Sequence, residues 1–306
     1  MGKLKKAFQL VYDPFYRFDF IAYRGGYQKL SDEEFLKKKY RIFFGKELNL
    51  DSPSTFCEKL QWLKLYNRRP EYTNLVDKYE AKRIAQSHGI DVIPTIGVWD
   101  RPADIDVNAL PEQFVLKCTH DSGGYVICKD RKTFDLDGAL RMLEKRQQRN
   151  YFDLGREWPY KDVKPRIIAE PYIPILSNPE SIEYKVTCFG GKADFITVCR
   201  GVAHAELYQR KNDFYDRAWN FLPFVTEYYA NSGMKNEKPQ ELERLIEVSE
   251  MLSKDIPYSR VDCYIIDGKV YFGELTFFTW SGFIKFDSPE WDQKLGDKIV
   301  LPEKTV

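Results

Sequence analysis

The chain has 306 residues, enough for a few packed subdomains around a substantial core. Lys+Arg 47 against Asp+Glu 46 leaves a net charge of +1, so no general attraction to nucleic acid is expected. Six cysteines (Cys57, Cys118, Cys128, Cys188, Cys199, Cys263) without a Cys-x-x-Cys pair read as buried thiols of a reducing compartment, and His88, His120 and His204 lack the helical pairing of a catalytic zinc site.

No apolar run approaches the roughly 20 residues that span a bilayer, and the N-terminus lacks the apolar stretch of a signal peptide. The chain therefore reads as soluble and cytoplasmic. Residues 3–27 mix Lys3, Lys5, Lys6, Arg17 and Arg24 with eight aromatics from Phe8 to Tyr27. A packed segment is the expectation there; a peripheral membrane or partner-binding arm is the alternative.

From Ser31 to Asn67 the pattern is helical. Ser31-Asp-Glu-Glu34 is a capping-box signature ahead of Phe35, Leu36 and Tyr40, and a second start at 54–58 leads into Leu60, Trp62, Leu63 and Leu65. Asp77–His88 is a helix stopped by Gly89, and 93–99 a short strand. Residues 101–111 form a turn-rich connection. Strands at 113–119 and 125–129 flank His120-Asp-Ser-Gly-Gly124, and a charged helix spans 135–149. Pro165 opens a strand at 166–170, and 181–189 with 192–200 form a hairpin about Gly190-Gly191. After a long loop, 240–252 is a helix; the segment 258–276 is a second hairpin, followed by a polar tail. These elements predict an α+β fold with antiparallel sheets.

The last hairpin carries Arg260 and Asp262 on one strand, Glu274 and Thr276 on the other, about Asp267-Gly268. Two carboxylates, an arginine and a hydroxyl near one end suggest a hard-metal and phosphate site. An amphipathic edge hairpin with a solvated charged face is the alternative. Register decides between them. A two-residue loop pairs Asp262 with Gly273 and sends Glu274 to the other face; a three-residue loop, 266–268, puts Glu274 on the face of Asp262, opposite Arg260. The metal reading therefore predicts the longer loop.

Lys117 lies in the apolar strand Phe114-Val-Leu-Lys-Cys-Thr119, where it must snorkel or meet an anion. Ser122, Gly123 and Gly124 follow in a loop whose backbone N–H groups can approach a phosphate, although such a loop is also ordinary. Neither a P-loop nor a Gly-x-Gly-x-x-Gly motif is present. Ile168-Ala-Glu-Pro-Tyr-Ile173 runs into a Pro-kinked connector that can hold an adenine ring, and Glu183 can accept from ribose hydroxyls.

The order of these parts resembles an ATP-grasp fold, and specifically the TupA-like ATP-grasp family associated with bacterial surface polysaccharide and teichuronopeptide synthesis. The stretches that carry it are Thr55-Phe-Cys-Glu-Lys-Leu-Gln-Trp-Leu-Lys-Leu-Tyr66, Leu75-Val-Asp-Lys-Tyr79, Gln113–Lys117 with His120–Gly124, Gly155-Arg-Glu-Trp-Pro-Tyr160, Lys164–Glu170, Glu183-Tyr-Lys185 and Gly273-Glu-Leu-Thr-Phe277. The resemblance implies a nucleotide held between two antiparallel-sheet lobes after a helical N-terminal region. The implied division is 1–75 helical and aromatic, 76–110 α/β, 111–165 the central lobe and 166–306 the C-terminal lobe.

The resemblance also implies roles. Lys117 and Lys78 would meet ATP phosphates beneath the Ser122, Gly123 and Gly124 loop. Glu170, Tyr172 and Ile173 would contact adenine, and Glu183 the ribose. Asp262, Glu274 and Thr276 would bind Mg²⁺, and Arg260 would hold the transferred phosphoryl group. Thr276 stands where many ATP-grasp ligases have Asn, and Phe278-Thr-Trp-Ser-Gly282 where relatives have Pro-Gly before Ser-Gly.

The implied activity is an ATP-dependent carboxylate–amine ligase acting on a uronic acid or amino acid of a capsular or cell-wall polysaccharide. A polysaccharide-binding or glycosyl-transfer accessory that kept the fold is the alternative. The protein-kinase His-Arg-Asp and Asp-Phe-Gly signatures are absent. For the acceptor, the loop 200–224 offers basic and aromatic groups, with Arg217 as the carboxylate contact and Ser281 and Gly282 as further substrate residues.

Overall fold

The computed structural model describes residues 3–178, 180–201 and 209–305. His204 and the rest of 202–208, within the expected acceptor loop, lie outside the described residues.

Most of the longer helices begin where a side chain satisfies open N–H groups, whereas Tyr72–Val76, Phe152–Gly155 and Leu242–Leu252 have no such cap. Asp13 accepts from the Tyr16 N–H at 2.9 Å and precedes Pro14, opening helix α2 (Pro14–Ala22) after α1 (Lys3–Tyr12). Ser31 and Glu34 form the expected capping box of α3 (Asp32–Phe44). Thr55 and Glu58 form another on α4 (Phe56–Tyr66). A short α5 (Tyr72–Val76) leads into α6 (Lys78–Ser87), whose first turn is capped by Asp77.

Of the segment read as a strand at 93–99, only the last three residues form one, and a separate short strand precedes it. Pro94 lacks a ladder donor, so β1 (Asp91–Val92) ends before it and β2 (Gly97–Trp99) joins a different sheet. The strands β3 (Phe114–Cys118), β4 (Tyr125–Cys128) and β5 (Ile167–Pro171) complete a four-stranded antiparallel sheet ordered β2-β5-β3-β4. Membership of β5 carries this sheet past residue 165. Helix α7 (Leu136–Gln147) covers it, burying Leu143 against Phe114, Leu116 and Ile167. A further turn of helix, α8 (Phe152–Gly155), follows.

The larger sheet is ordered β1-β11-β10-β6-β7-β8-β9 and is antiparallel except where β1 meets β11. Its hairpins are β6 (Ile182–Phe189) with β7 (Lys192–Arg200), and β10 (Tyr258–Ile266) with β11 (Lys269–Thr276). The loop expected after residue 200 contains two strands, β8 (Lys211–Asp216) and, at the sheet's edge, β9 (Phe221–Leu222). Phe214 of β8 stacks 3.9 Å from Phe224, just after β9, which explains why so aromatic a segment does not stay solvated. Helix α9 (Leu242–Leu252) buries Leu245 and Val248 in the same core. Part of the expected polar tail is helical, α10 (Pro289–Asp297), started by Ser288 and Pro289.

The high aromatic content has a structural use. Phe15 of α2 and Tyr40, Phe43 and Phe44 of α3 surround Phe283, locking the N-terminal helices onto the turn after β11. The expected α+β architecture, with helices ahead of two antiparallel sheets, is what the chain adopts. No helix among the described residues is long and apolar enough to cross a membrane.

Candidate active site

The β10–β11 turn is the short one. Ile266 pairs with Lys269, and Asp267 and Gly268 both have positive φ (50° and 71°), the hairpin turn whose twist suits the strands. That register alone would separate the carboxylates. A bulge between Asp262 and Cys263 moves Gly273 out of the pairing, so Asp262 lies directly opposite Glu274. Glycine is required there: a Cβ on residue 273 would lie 3.0 Å from the Asp262 carbonyl oxygen and 3.0 Å from the Tyr264 ring. The shared face arises from a bulge rather than a longer loop, and Arg260 faces Thr276 rather than Glu274.

Asp262 is buried and fully engaged. Arg260 grips it in a fork, Nε to Oδ1 at 2.6 Å and Nη2 to Oδ2 at 2.7 Å, and Lys185 of β6 reaches Oδ2 from the other side. Arg260 Nη2 also donates to Thr276 Oγ1 at 3.2 Å and stands 3.7 Å from Glu274 Oε1. Lys185 pairs with Glu183 at 2.7 Å. Burial works against the Asp262 carboxylate, yet Arg260 and Lys185 outweigh it and hold its pKa below the usual range. Burial likewise opposes the charges on Arg260 and Lys185, and Asp262 more than compensates at both. Glu274 differs: its side chain is 47% exposed against 1% for Asp262.

Glu183, Lys185, Arg260, Glu274 and Thr276 line a cleft of about 650 Å³ together with Lys78, Ser122 and Ser281, while Asp262 lies beneath that lining. Asp13, Phe15, Tyr16 and Asp19 of α2 and Lys39 of α3 form its opposite wall. Arg200 and Arg210 line it from the end of β7 and the start of β8. Arg217 does not. It donates to Glu250 at 2.8 Å and to the Ala193 carbonyl at 3.2 Å, because the turn after β8 points it back along the sheet toward α9.

Lys78 donates to the Asp121 carbonyl at 2.6 Å, holding α6 against the Ser122–Gly124 loop; Arg146 of α7 fastens the loop from behind through Asp121 at 2.9 Å. Lys117 pairs with Glu170 at 2.5 Å, and Lys82 of α6 takes the other Glu170 oxygen. The Glu170 side chain is thus committed to two lysines. Burial opposes the Glu170 charge, but Lys117 and Lys82 hold its pKa low. Glu170, Tyr172 and Ile173 are not among the residues that line the cleft, and neither are Lys117, Gly123, Gly124, Asp262 and Gly282.

Lys82, Lys185, Lys64 and Glu157 escaped the sequence reading. Lys82 lies one helical turn beyond Lys78 on the same face, and Lys185 two residues beyond Glu183 on the same strand face; both spacings carry that signal. Lys64 and Glu157 carried none, since the one lies in an apolar helix and the other in a loop. Lys64 is fully buried and donates to the Gly155 carbonyl (2.7 Å), the Ser281 carbonyl (2.7 Å), Ser281 Oγ (2.8 Å) and Gln61 Oε1 (3.0 Å). Those bonds hold three consecutive left-handed residues, Trp280, Ser281 and Gly282 (φ 51°, 54° and 67°), a shape costly for the first two. A Cβ on residue 155 would lie 2.2 Å from Ser281 Oγ, so glycine is needed there for space. Burial, opposed by Glu157, lowers the Lys64 pKa to about 7. Burial raises that of Glu157, against the pull of Lys64 and the Ser281 hydroxyl. The sequence match to the TupA-like ATP-grasp model covers residues 58–300.

The chain belongs to the TupA-like ATP-grasp family.

No curated protein matches this ATP-grasp chain in sequence. Among solved structures it is similar to D-alanine–D-alanine ligase from Bacillus anthracis complexed with ATP (23% identity, TM-score 0.40, 66% of this chain and 55% of that one). It is similar also to the D-alanine–D-alanine ligase from Helicobacter pylori (18%, 0.41, 74% and 61%). A third is the phosphoribosylamine–glycine ligase from Thermotoga maritima (15%, 0.41, 67% and 48%). The match spans about half to three fifths of those chains' length, and the family assignment rests on the sequence match.

The donor set of this ATP-grasp site fits a hard cation held largely by a nucleotide's own phosphates. Glu274 and Thr276 line the cleft and offer oxygen ligands of the kind Mg²⁺ takes, leaving the remaining positions to phosphate and water; Asp262, buried and bonded through both oxygens to Arg260 and Lys185, lies outside the lining and could join them only by releasing those cations. Among the described residues no group of three His, Cys, Asp or Glu side chains stands ready to hold an ion alone.

Proposed function

We propose that the protein is an ATP-dependent carboxylate–amine ligase. The observation that carries this reading is Arg260 in the cleft lining, forked onto the buried Asp262 beneath it and standing beside Glu274 and Thr276, which share that lining. Such a site is equipped to position and to stabilise charge. A carboxylate oxygen of the substrate attacks the γ-phosphorus of ATP, breaking its bond to the β-phosphate oxygen and releasing ADP. An amine then attacks the acyl carbonyl, phosphate leaves, and the amine loses a proton to give the amide.

Lys117 and Lys78 meet the phosphates under the Ser122, Gly123 and Gly124 loop. The connector Glu170–Ile173, with Tyr172, borders the adenine, and Glu183 faces the ribose. Glu274 and Thr276 would hold Mg²⁺, joined by Asp262 if it released Arg260 and Lys185, and the ion would supply charge neutralisation at the phosphates. Arg260 steadies the transferred phosphoryl group and the negative charge of the tetrahedral intermediate.

The acceptor half of the cleft, with Arg200, Arg210, Ser281 and the aromatic groups Tyr16, Tyr228 and Trp280, suits a carboxylate-bearing sugar or amino acid. Family context supports a uronic acid or amino acid of a bacterial capsular or cell-wall polysaccharide, modified in the cytoplasm. The test is ADP release screened over panels of uronic acids, amino acids and amines. Release that requires both a carboxylate and an amine is expected. A protein that binds MgATP yet releases no ADP with any pair favours the polysaccharide-binding accessory instead.

A further inference from the structure

The two halves of the N-terminal segment have different surroundings. In α2 the aromatic side turns inward: Phe18 and Ala22 are buried, and the Phe18 ring stacks on Tyr27. In α1 it turns outward. Phe8, Val11 and Tyr12 are 63%, 61% and 70% exposed, and their i, i+3, i+4 spacing places them on one face. The Phe8 and Tyr12 rings lie 4.4 Å apart, making one continuous apolar ridge, while Gln9 and Leu10 on another side are half-buried. The same ten-residue helix contains Lys3, Lys5 and Lys6 and no Asp or Glu.

We propose that α1 is a membrane-surface anchor that lays Phe8, Val11 and Tyr12 into the headgroup region of an anionic bilayer. The occupant follows from charge and form. An apolar ridge on a short, purely basic helix matches a surface that is apolar beneath and negatively charged above. A folded partner would need its own acidic groove of the same length, for which α1 offers no polar pairing group besides the lysines and Gln9. The cleft wall begins at Asp13, one residue beyond α1, so binding at the bilayer sets the cleft close to the membrane surface.

The test is co-sedimentation of the full chain with phosphatidylcholine vesicles containing or lacking phosphatidylglycerol, at low and high salt. Binding to the anionic vesicles alone is expected, with a gain of roughly fivefold per lysine, about a hundredfold for the three. High salt should remove most of it. Phe8→Ser with Tyr12→Ser should cut the partition coefficient at least about tenfold while leaving the melting temperature unchanged, since both side chains are exposed in the folded chain. No binding to anionic vesicles at low salt overturns the proposal. So does binding that survives the double variant, and so does lipid-free, concentration-dependent dimerisation abolished by that variant, which would assign the ridge to a second copy.

Discussion

Asp262 and Glu274 face each other across β10 and β11 only because Gly273 is bulged out of the ladder between them. Replacing Gly273 with alanine puts a methyl group against the Asp262 carbonyl and the Tyr264 ring, both at 3.0 Å. The expected result is a weakened hairpin and a loss of MgATP-induced stabilisation larger than the loss of intrinsic stability. Thermal melts with and without MgATP measure both. A nucleotide-induced shift equal to wild type would remove the bulge from the site's construction.

Asp262→Asn strips two buried cations of their shared partner. It should therefore cost about 3 kcal/mol of stability besides abolishing ADP formation, because Arg260 loses its forked partner and Lys185 keeps only Glu183. The pH sign follows. The folded pKa of Asp262 lies below its ordinary 3.8, so its contribution is complete above that value and is lost as pH falls through the lower, folded pKa. Urea melts of wild type and variant should differ most at neutral pH and converge in acid. Equal neutral stability would show that water or Glu183 replaces the lost carboxylate.

Lys117→Met keeps the stem that packs in β3 and deletes the charge. Lys82 remains to neutralise Glu170, so the nucleotide-free melting temperature should fall only slightly. The stabilisation by MgATP should shrink far more, since nucleotide must draw Lys117 toward its phosphates. An unaltered MgATP shift would leave Lys117 as a partner of Glu170 alone.

Lys64 is held neutral more readily than an ordinary lysine, its pKa lowered from 10.5 to about 7. Between those values the unfolded chain binds the extra proton, so this group's contribution to stability rises with pH above about 7. Subtracting Lys64→Met from wild type isolates it from the cysteines, whose titration enters higher. Chemical denaturation from pH 7 to 8.5 should show wild type gaining on the variant, and a flat difference would place the proton on Lys64 throughout.

Arg217→Ala should leave the kinetics with both substrates unaltered, because its guanidinium is spent on Glu250 and the Ala193 carbonyl away from the cleft. Arg210→Ala should instead lower kcat/KM for the carboxylate acceptor with little change in KM for ATP. Steady-state kinetics with each substrate varied in turn distinguishes them.

The sequence revealed what local rules control. Capping boxes at Ser31 and Thr55, the Lys117 strand and both long hairpins are written in short spacings, and the α+β class followed from them. The hairpin register was misjudged because a bulge is decided by what packs beside Gly273, not by the turn residues. Strands β8 and β9 were hidden because short strands of mixed polarity look like loop until Phe214 and Phe224 stack. Lys64 was invisible for a related reason: a lysine inside a helix reads as surface unless its acceptors, Gly155 and Ser281, are known to converge on it. Arg217 was misplaced because composition cannot say which way a turn faces.

Lys64 also has a consequence in time. Its hydrogen bonds to the Ser281 carbonyl and hydroxyl join groups 217 positions apart in the chain. Closing so long a loop is paid for before the contact repays it, whereas the β6–β7 and β10–β11 hairpins unite neighbours. The turn at Ser281 therefore carries a loop-closure cost that the hairpin holding Asp262 and Glu274 does not, and docking of α4 is what supplies its Lys64 bonds.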